Sequence, residues 1–182
     1  MTSVDAGLHT ISMSAPRTNL STIGYEAADL TDFVATLRAA FVTRLIDVRQ
    51  LAISRRPGFA KKALTAALSA AGIDYVQLKG LGDPKEGREA ARAGDEARFR
   101  RVFSAHMKTE AAQTDLAKAV ELVSQGSACL MCYERDHSTC HRAIVAQAIS
   151  DNISVSIRHL GVSSVRVNHQ QQIARSLVEE RA

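Results

Sequence analysis

Ala128 to Tyr133, ACLMCY, is a run of six residues with no charge and no alternation of apolar and polar side chains. A strand that is apolar on both faces must be covered on both, which is the position of a central strand in a parallel sheet flanked by helices. A short polar loop follows, and a helical pattern begins near His141. The order buried strand, loop, helix sets the fold class that the remaining segments have to satisfy.

They do so in sequence. Thr18 to Tyr25 reads as a first strand stopping at Gly24, and Leu30, Phe33, Val34, Leu37 and Phe41 then share a helical face with Thr31 as its N-cap. Arg44 to Val48 is a short second strand. Ala60, Ala63, Leu64, Ala67, Leu68 and Ala71 follow the helical spacing up to Gly72, and Ile73 to Leu78 is a third strand. Gly80 to Arg88 holds three glycines and a proline in nine residues and reads as a mobile loop. Two helices centred on Phe103 and Leu116 come next, the second capped by Thr109. Ser138 or Thr139 is placed to cap the helix after the buried run, and Ile153, Val155 and Ile157 alternate with polar residues as in a half-exposed last strand.

Strands separated by helices, with no internal repeat, predict an α/β protein: a three-layer, doubly wound, mostly parallel sheet with helices on both faces. Residues 18–162 form its single domain. Residues 1–17 read as a disordered leader and residues 163–182 as a C-terminal tail with helical character. A chain of 182 residues with 46% hydrophobic content buries a core without staples. Its formal charge of +4 permits an anionic small molecule or nucleic acid as partner without demanding either. No run is long enough for a membrane span, and three clustered cysteines suit a reducing, cytoplasmic setting better than a disulfide framework. Oligomeric state is not legible.

In doubly wound sheets, ligands bind beyond the carboxyl ends of the strands. That rule brings Gly24 and Tyr25, Asp47 and Arg49, Gly80, and Cys132 to Glu134 to one side of the molecule. Asp47 and Glu134 end apolar strands, where a charge needs a partner or a task. They are candidates for proton transfer or metal binding, or for ion pairs with Arg49 and Arg142. Cys132, Cys140 and His141 flank a helix start, where unpaired N–H groups favour a thiolate or anion, and they are the residues that would hold a metal. Cys129 lies three residues before Cys132, so on a strand the two point to opposite faces and Cys129 belongs to the core. The basic stretch with Arg49, Ser54, Arg55, Arg56, Lys61 and Lys62, together with Arg88 and Arg142, suits phosphate.

The segments STIGYE at Ser21, LIDVRQLAISRRPGF at Leu45, GIDYVQLKGLGDPKEGR at Gly72 and CLMCYERDHSTCHRAIVA at Cys129 together resemble the domain-of-unknown-function 488 family. The resemblance implies a three-layer α/β domain and a site position, not a reaction. This chain departs from the family pattern at Tyr25, where a His is usual, and near Ala52, where a Pro is usual. The leading expectation is an enzyme acting on a phosphate-bearing substrate, a nucleotide or nucleic acid, in the strand-end crevice. Asp47, Cys132, Glu134, Cys140 and His141 would be its catalytic groups, with Gly24, Tyr25, Arg49, Ser54, Arg55, Arg88 and Arg142 around the anion. A non-catalytic nucleic-acid-binding module, and a metal or redox centre on Cys132, Cys140 and His141, are the alternatives; no cofactor is identified by the sequence itself.

Overall fold

The computed structural model describes residues 18–162. The leader and tail readings therefore lie outside the described residues. Within them, β1 (Thr18–Gly24), β2 (Arg44–Asp47), β3 (Asp74–Gln77), β4 (Ala128–Cys132) and β5 (Val155–Leu160) form one sheet in the order β3-β2-β4-β1-β5. Every pairing is parallel. All five residues of β4 are buried, as its two-sided apolarity requires, and Leu45, Cys129 and Ser21 lie side by side across the middle of the sheet.

Two cores lie on the two faces. Phe33 and Leu37 of α1 (Leu30–Ala39) and Leu64 and Leu68 of α2 (Lys61–Ala70) cover one. Phe99 and Phe103 of α4 (Glu96–His106), Leu116 and Val123 of α5 (Glu110–Ser124) and Val145 and Ile149 of α6 (His141–Ser150) cover the other. The arrangement follows from handedness. Moving from β1 to β2 to β3 runs one way along the sheet and β3 to β4 to β5 runs back, so right-handed crossovers put α1 and α2 on one face and α4 to α6 on the opposite one. The connections after β4 and after its two neighbours thus leave to opposite faces. This divergence is the switch point at which such sheets open crevices.

The Gly80 to Arg88 segment differs from the loop read in the sequence. It contains a 3-10 turn (Lys79–Leu81) and the first half of a helix, α3 (Lys85–Arg92), with Pro84 at the N-cap. Its glycines mark close approach: a Cβ at Gly82 would lie 2.2 Å from the backbone nitrogen of Gln50, and one at Gly87 would lie 1.9 Å from Asp83 Oδ1. The first helix is preceded by Asp29 rather than capped by Thr31, and the last by Cys140 rather than Ser138 or Thr139. Thr109 caps α5 as the sequence indicates, accepting from the Ala112 N–H.

Candidate functional site

β4 and β1 run in register to Cys132 and Gly24, and their continuation sets the site. The Tyr25 and Glu26 amides donate to the carbonyls of Cys132 and Tyr133, so the two chains stay together one step beyond the sheet. A Cβ on Gly24 would stand 1.8 Å from the Glu134 carbonyl oxygen, so only glycine lets the post-β4 loop pass. From the other side the fully buried Arg142 reaches back from α6. Its Nη1 donates to the Glu134 carbonyl at 2.5 Å and its Nη2 to the Arg135 carbonyl at 3.0 Å. The loop that carries Glu134 is pinned by a guanidinium.

That clamp brings four donors together. Sγ of Cys132, a carboxylate oxygen of Glu134, Sγ of Cys140 and a ring nitrogen of His141 all lie within 4.8 Å of one another. Both thiols donate to the same oxygen, Glu134 Oε2, at 3.1 Å from Cys132 and 3.0 Å from Cys140. His141 Nε2 donates to the Val48 carbonyl at 2.9 Å, and Nδ1 stands 3.7 Å from Cys132 Sγ. The ring is backed by Phe103, with centroids 5.2 Å apart. Cys140 is the N-cap of α6, its sulfur 3.5 Å from the Arg142 N–H.

Burial and hydrogen bonding act against each other on these groups. Burial pushes both the Cys132 and the Cys140 thiols up. Burial also opposes charge on Glu134, but hydrogen bonds from Cys140 and Cys132 outweigh it and hold that carboxyl below the usual range. For His141, burial works downward and is overcome by Cys140 and by the Val48 carbonyl, so the imidazole rises to about 9.

A second cluster sits on the opposite face. Asp47 forms a buried pair with Arg49, Oδ2 to Nη2 at 2.6 Å, and accepts from the Tyr75 hydroxyl at 2.6 Å. Arg49 also donates to the Tyr25 hydroxyl and the Phe59 carbonyl, and the Tyr25 ring stacks on Phe59 at 4.5 Å. Burial lowers the Arg49 value, yet the Asp47 bond and charge more than offset it; burial and Asp47 together push the Tyr75 hydroxyl up. Asp47 and Glu134 are therefore separate, the first with Arg49 and Tyr75, the second with the thiols. The two clusters meet at Val48, whose neighbours serve one face while its carbonyl serves the other, and at Tyr25, whose amide bonds the Cys132 carbonyl while its hydroxyl accepts from Arg49.

Ser54 and Arg55 lie on the loop after β2. Ser54 Oγ accepts from the Arg56 N–H at 3.1 Å, and Arg55 is exposed. Arg88 bonds the Gln50 side chain at 2.6 Å and the Asp83 carbonyl. Sequence reasoning missed Asp83, which is 6% exposed, has an unbonded buried Oδ1, and feels the charges of His141 and Arg88 most among its neighbours. Burial raises its carboxyl. The signal was present in its setting between Gly82 and Pro84, inside the segment read as a loop. An open groove of about 410 Å³ between α4 and α6, lined by Phe99, Ile144 and Gln147 among others, has Cys140 on its wall.

A parallel α/β sheet with a thiol, carboxylate and imidazole cluster at the carboxyl end of its central strand defines the class of protein. The family model described as domain of unknown function DUF488 matches residues 29–149, well over half of the chain, and the chain belongs to that family. No curated protein and no solved structure matches it. Among the described residues, no helix is long and apolar enough to cross a membrane.

Proposed function

We propose that the protein is a metal-dependent enzyme in which Cys132, Cys140 and His141 hold a divalent cation of the zinc class and Glu134 carries protons beside it. The observation that carries this reading is the set of four donor atoms within 4.8 Å, together with the anchoring of His141 Nε2 on Val48 O. A tetrahedral zinc site has Zn–S near 2.3 Å and Zn–N near 2.0 to 2.1 Å, so its donors stand roughly 3.3 to 3.8 Å apart. Contraction by about 1 Å or less brings the cluster to that spacing. Metal-ligating histidines hold their second nitrogen on a carbonyl or carboxylate, the role Val48 fills here.

Two thiolates, one imidazole and a neighbouring carboxylate suit a borderline-soft cation better than calcium or magnesium. Such a cation supplies Lewis acidity and makes water a nucleophile near neutral pH. The chain supplies the rest: Glu134 accepts and returns the proton, Arg142 keeps Glu134 in place, and Phe103 shields His141 from water. The substrate class remains the phosphate-bearing one, a nucleotide or nucleic acid. Arg49 and Arg142 hold protein groups, so the exposed Arg55 and Lys62 are the cations that would meet it.

The test is cobalt loading of the purified full chain, read by thiolate-to-cobalt absorption and elemental analysis. One cobalt per chain with the charge-transfer band, lost in Cys132→Ser and Cys140→Ser and retained in Cys129→Ser, supports the reading. No band in the wild type, or an unchanged band in both loop-cysteine variants, overturns it. Binding of a single-stranded oligonucleotide that survives removal of Cys140 and weakens with salt would favour the non-catalytic nucleic-acid module instead.

A further inference from the structure

Four large apolar side chains stand exposed among the described residues, and three of them, Leu51, Ile53 and Tyr133, lie just beyond the carboxyl ends of the neighbouring strands β2 and β4. We propose that this crest binds single-stranded nucleic acid, with Tyr133 as the platform on which one unpaired base stacks and Arg55 and Lys62 as the cations that hold the adjoining phosphates. This rests on the reading above for the phosphate-bearing substrate class and deepens it; it does not rest on the cation.

Tyr133 follows the fully buried β4, yet it is 44% exposed. Its ring is the outer member of an aromatic stack anchored in the core. It meets the Tyr25 ring edge to face at 5.3 Å, Tyr25 stacks on Phe59 at 4.5 Å, and Phe59 packs edge-on against the buried Phe33 at 5.2 Å. A ring held in this way keeps its plane, so a base that stacks on it does not have to order it first. A base inside a duplex is already stacked on both faces, whereas an unpaired one offers a face to the ring whatever its identity. That difference selects a single strand over a duplex.

Charge decides on which side of Tyr133 the strand lies. From Val48 to Ile73 the chain carries five cations, Arg49, Arg55, Arg56, Lys61 and Lys62, and no carboxylate. Three are occupied: Arg49 by Asp47 and Tyr25, Arg56 by the Ala28 carbonyl and Lys61 by the Gln77 side chain. Arg55 and Lys62 are exposed, and among the described residues their side chains hold no protein group. The Phe59 and Lys61 amides donate to the carbonyls of Arg56 and Ala52, which folds this loop back beside the aromatic stack. On the other flank, after β1, stand the exposed acids Glu26 and Asp29. An anionic strand is therefore drawn across β2 toward the start of α2 and away from β1.

The experiment titrates the full chain into a fluorescein-labelled oligothymidylate, and into a duplex of equal length, by anisotropy. The single strand should bind more tightly. Tyr133→Ala should weaken it roughly 5- to 150-fold, the range of one stacked base, and Tyr133→Phe should restore it. Arg55→Ala and Lys62→Ala should each lower the salt slope by about 0.7. The chain has no Trp, so Tyr133→Trp introduces a single reporter that the oligonucleotide should quench and inorganic phosphate should not. A thermal melt checks that Tyr133→Ala is folded; the Trp variant and the two cation variants keep the test decisive if it is not. A duplex bound as tightly as the single strand, or an unquenched Trp, overturns the proposal. So does binding to phosphatidylserine vesicles in place of the oligonucleotide. If cobalt binds and the oligonucleotide does not, this surface falls and the metal reading stands. If the oligonucleotide binds through Tyr133 and no cobalt band forms, the metal reading falls and this surface stands.

Discussion

His141 on α6 donates from Nε2 to the carbonyl oxygen of Val48, the residue just past the end of β2, 93 residues earlier and 2.9 Å away. That single bond fixes the ring orientation and leaves Nδ1 as the nitrogen offered to the thiols. His141→Ala should therefore do two things together. It leaves a buried carbonyl unpaired, at about 1 to 3 kcal/mol, and lowers cobalt affinity at least tenfold. Urea denaturation and cobalt titration of one sample measure both, and an unchanged titration would sever the ring from the centre.

Arg142 is the clamp on the Glu134 loop. Arg142→Met keeps the apolar stem but removes both carbonyl bonds, each charge-assisted and worth roughly 1.5 to 3 kcal/mol. The expected loss is about 3 kcal/mol in a denaturant midpoint experiment. Amide exchange should rise at residues 134–140 more than in β1 or β5.

Asp47 and Arg49 form the buried pair on the other face. Asp47→Asn leaves the Arg49 charge uncompensated among Tyr25, Phe59 and Tyr75, which should cost about 3 to 5 kcal/mol. Replacing both, Asp47→Asn with Arg49→Met, should recover a large part of that loss. A double variant no more stable than the single one would mean that the arginine has work outside the pair.

His159 hydrogen-bonds Thr22 Oγ1 at 2.8 Å and stacks on His137 with centroids 3.6 Å apart. Burial, then the charges of His137 and Arg142, hold its imidazole below the ordinary value. A histidine depressed in the folded state binds its proton more readily when unfolded. The His159 contribution to stability is therefore complete above the unfolded value of about 6.5 and declines as pH falls from there toward the folded one. A thermal melt series from about pH 6.5 to 5 should show that decline, and His159→Gln should flatten it.

Much of this fold is readable from residue patterns because the patterns are local. The two-sided apolarity of β4 announces a covered central strand, and the three-residue offset sends Cys129 and Cys132 to different cores, as the two clusters confirm. The cluster at the helix start is readable too, since Cys132, Cys140 and His141 flank one short loop. What escapes depends on packing between distant segments. The separation of Asp47 from Glu134 follows from strand order and pleat, which no window of sequence contains. Gly82 and Gly87 look like hinge residues until Gln50 and Asp83 are seen pressed against them. Asp83 joins the neighbourhood of His141 only because that segment packs over the end of β2.

Val48 imposes a constraint on how the chain can vary. Its carbonyl holds the imidazole of one face while Asp47 and Arg49, on either side, build the ion pair of the other. Successive strand residues alternate in direction, so a single insertion or deletion here would turn each group toward the wrong layer at once. Residues 47 to 49 should tolerate changes of side chain far better than changes of length, and the two halves of the molecule are bound to inherit that spacing as one unit.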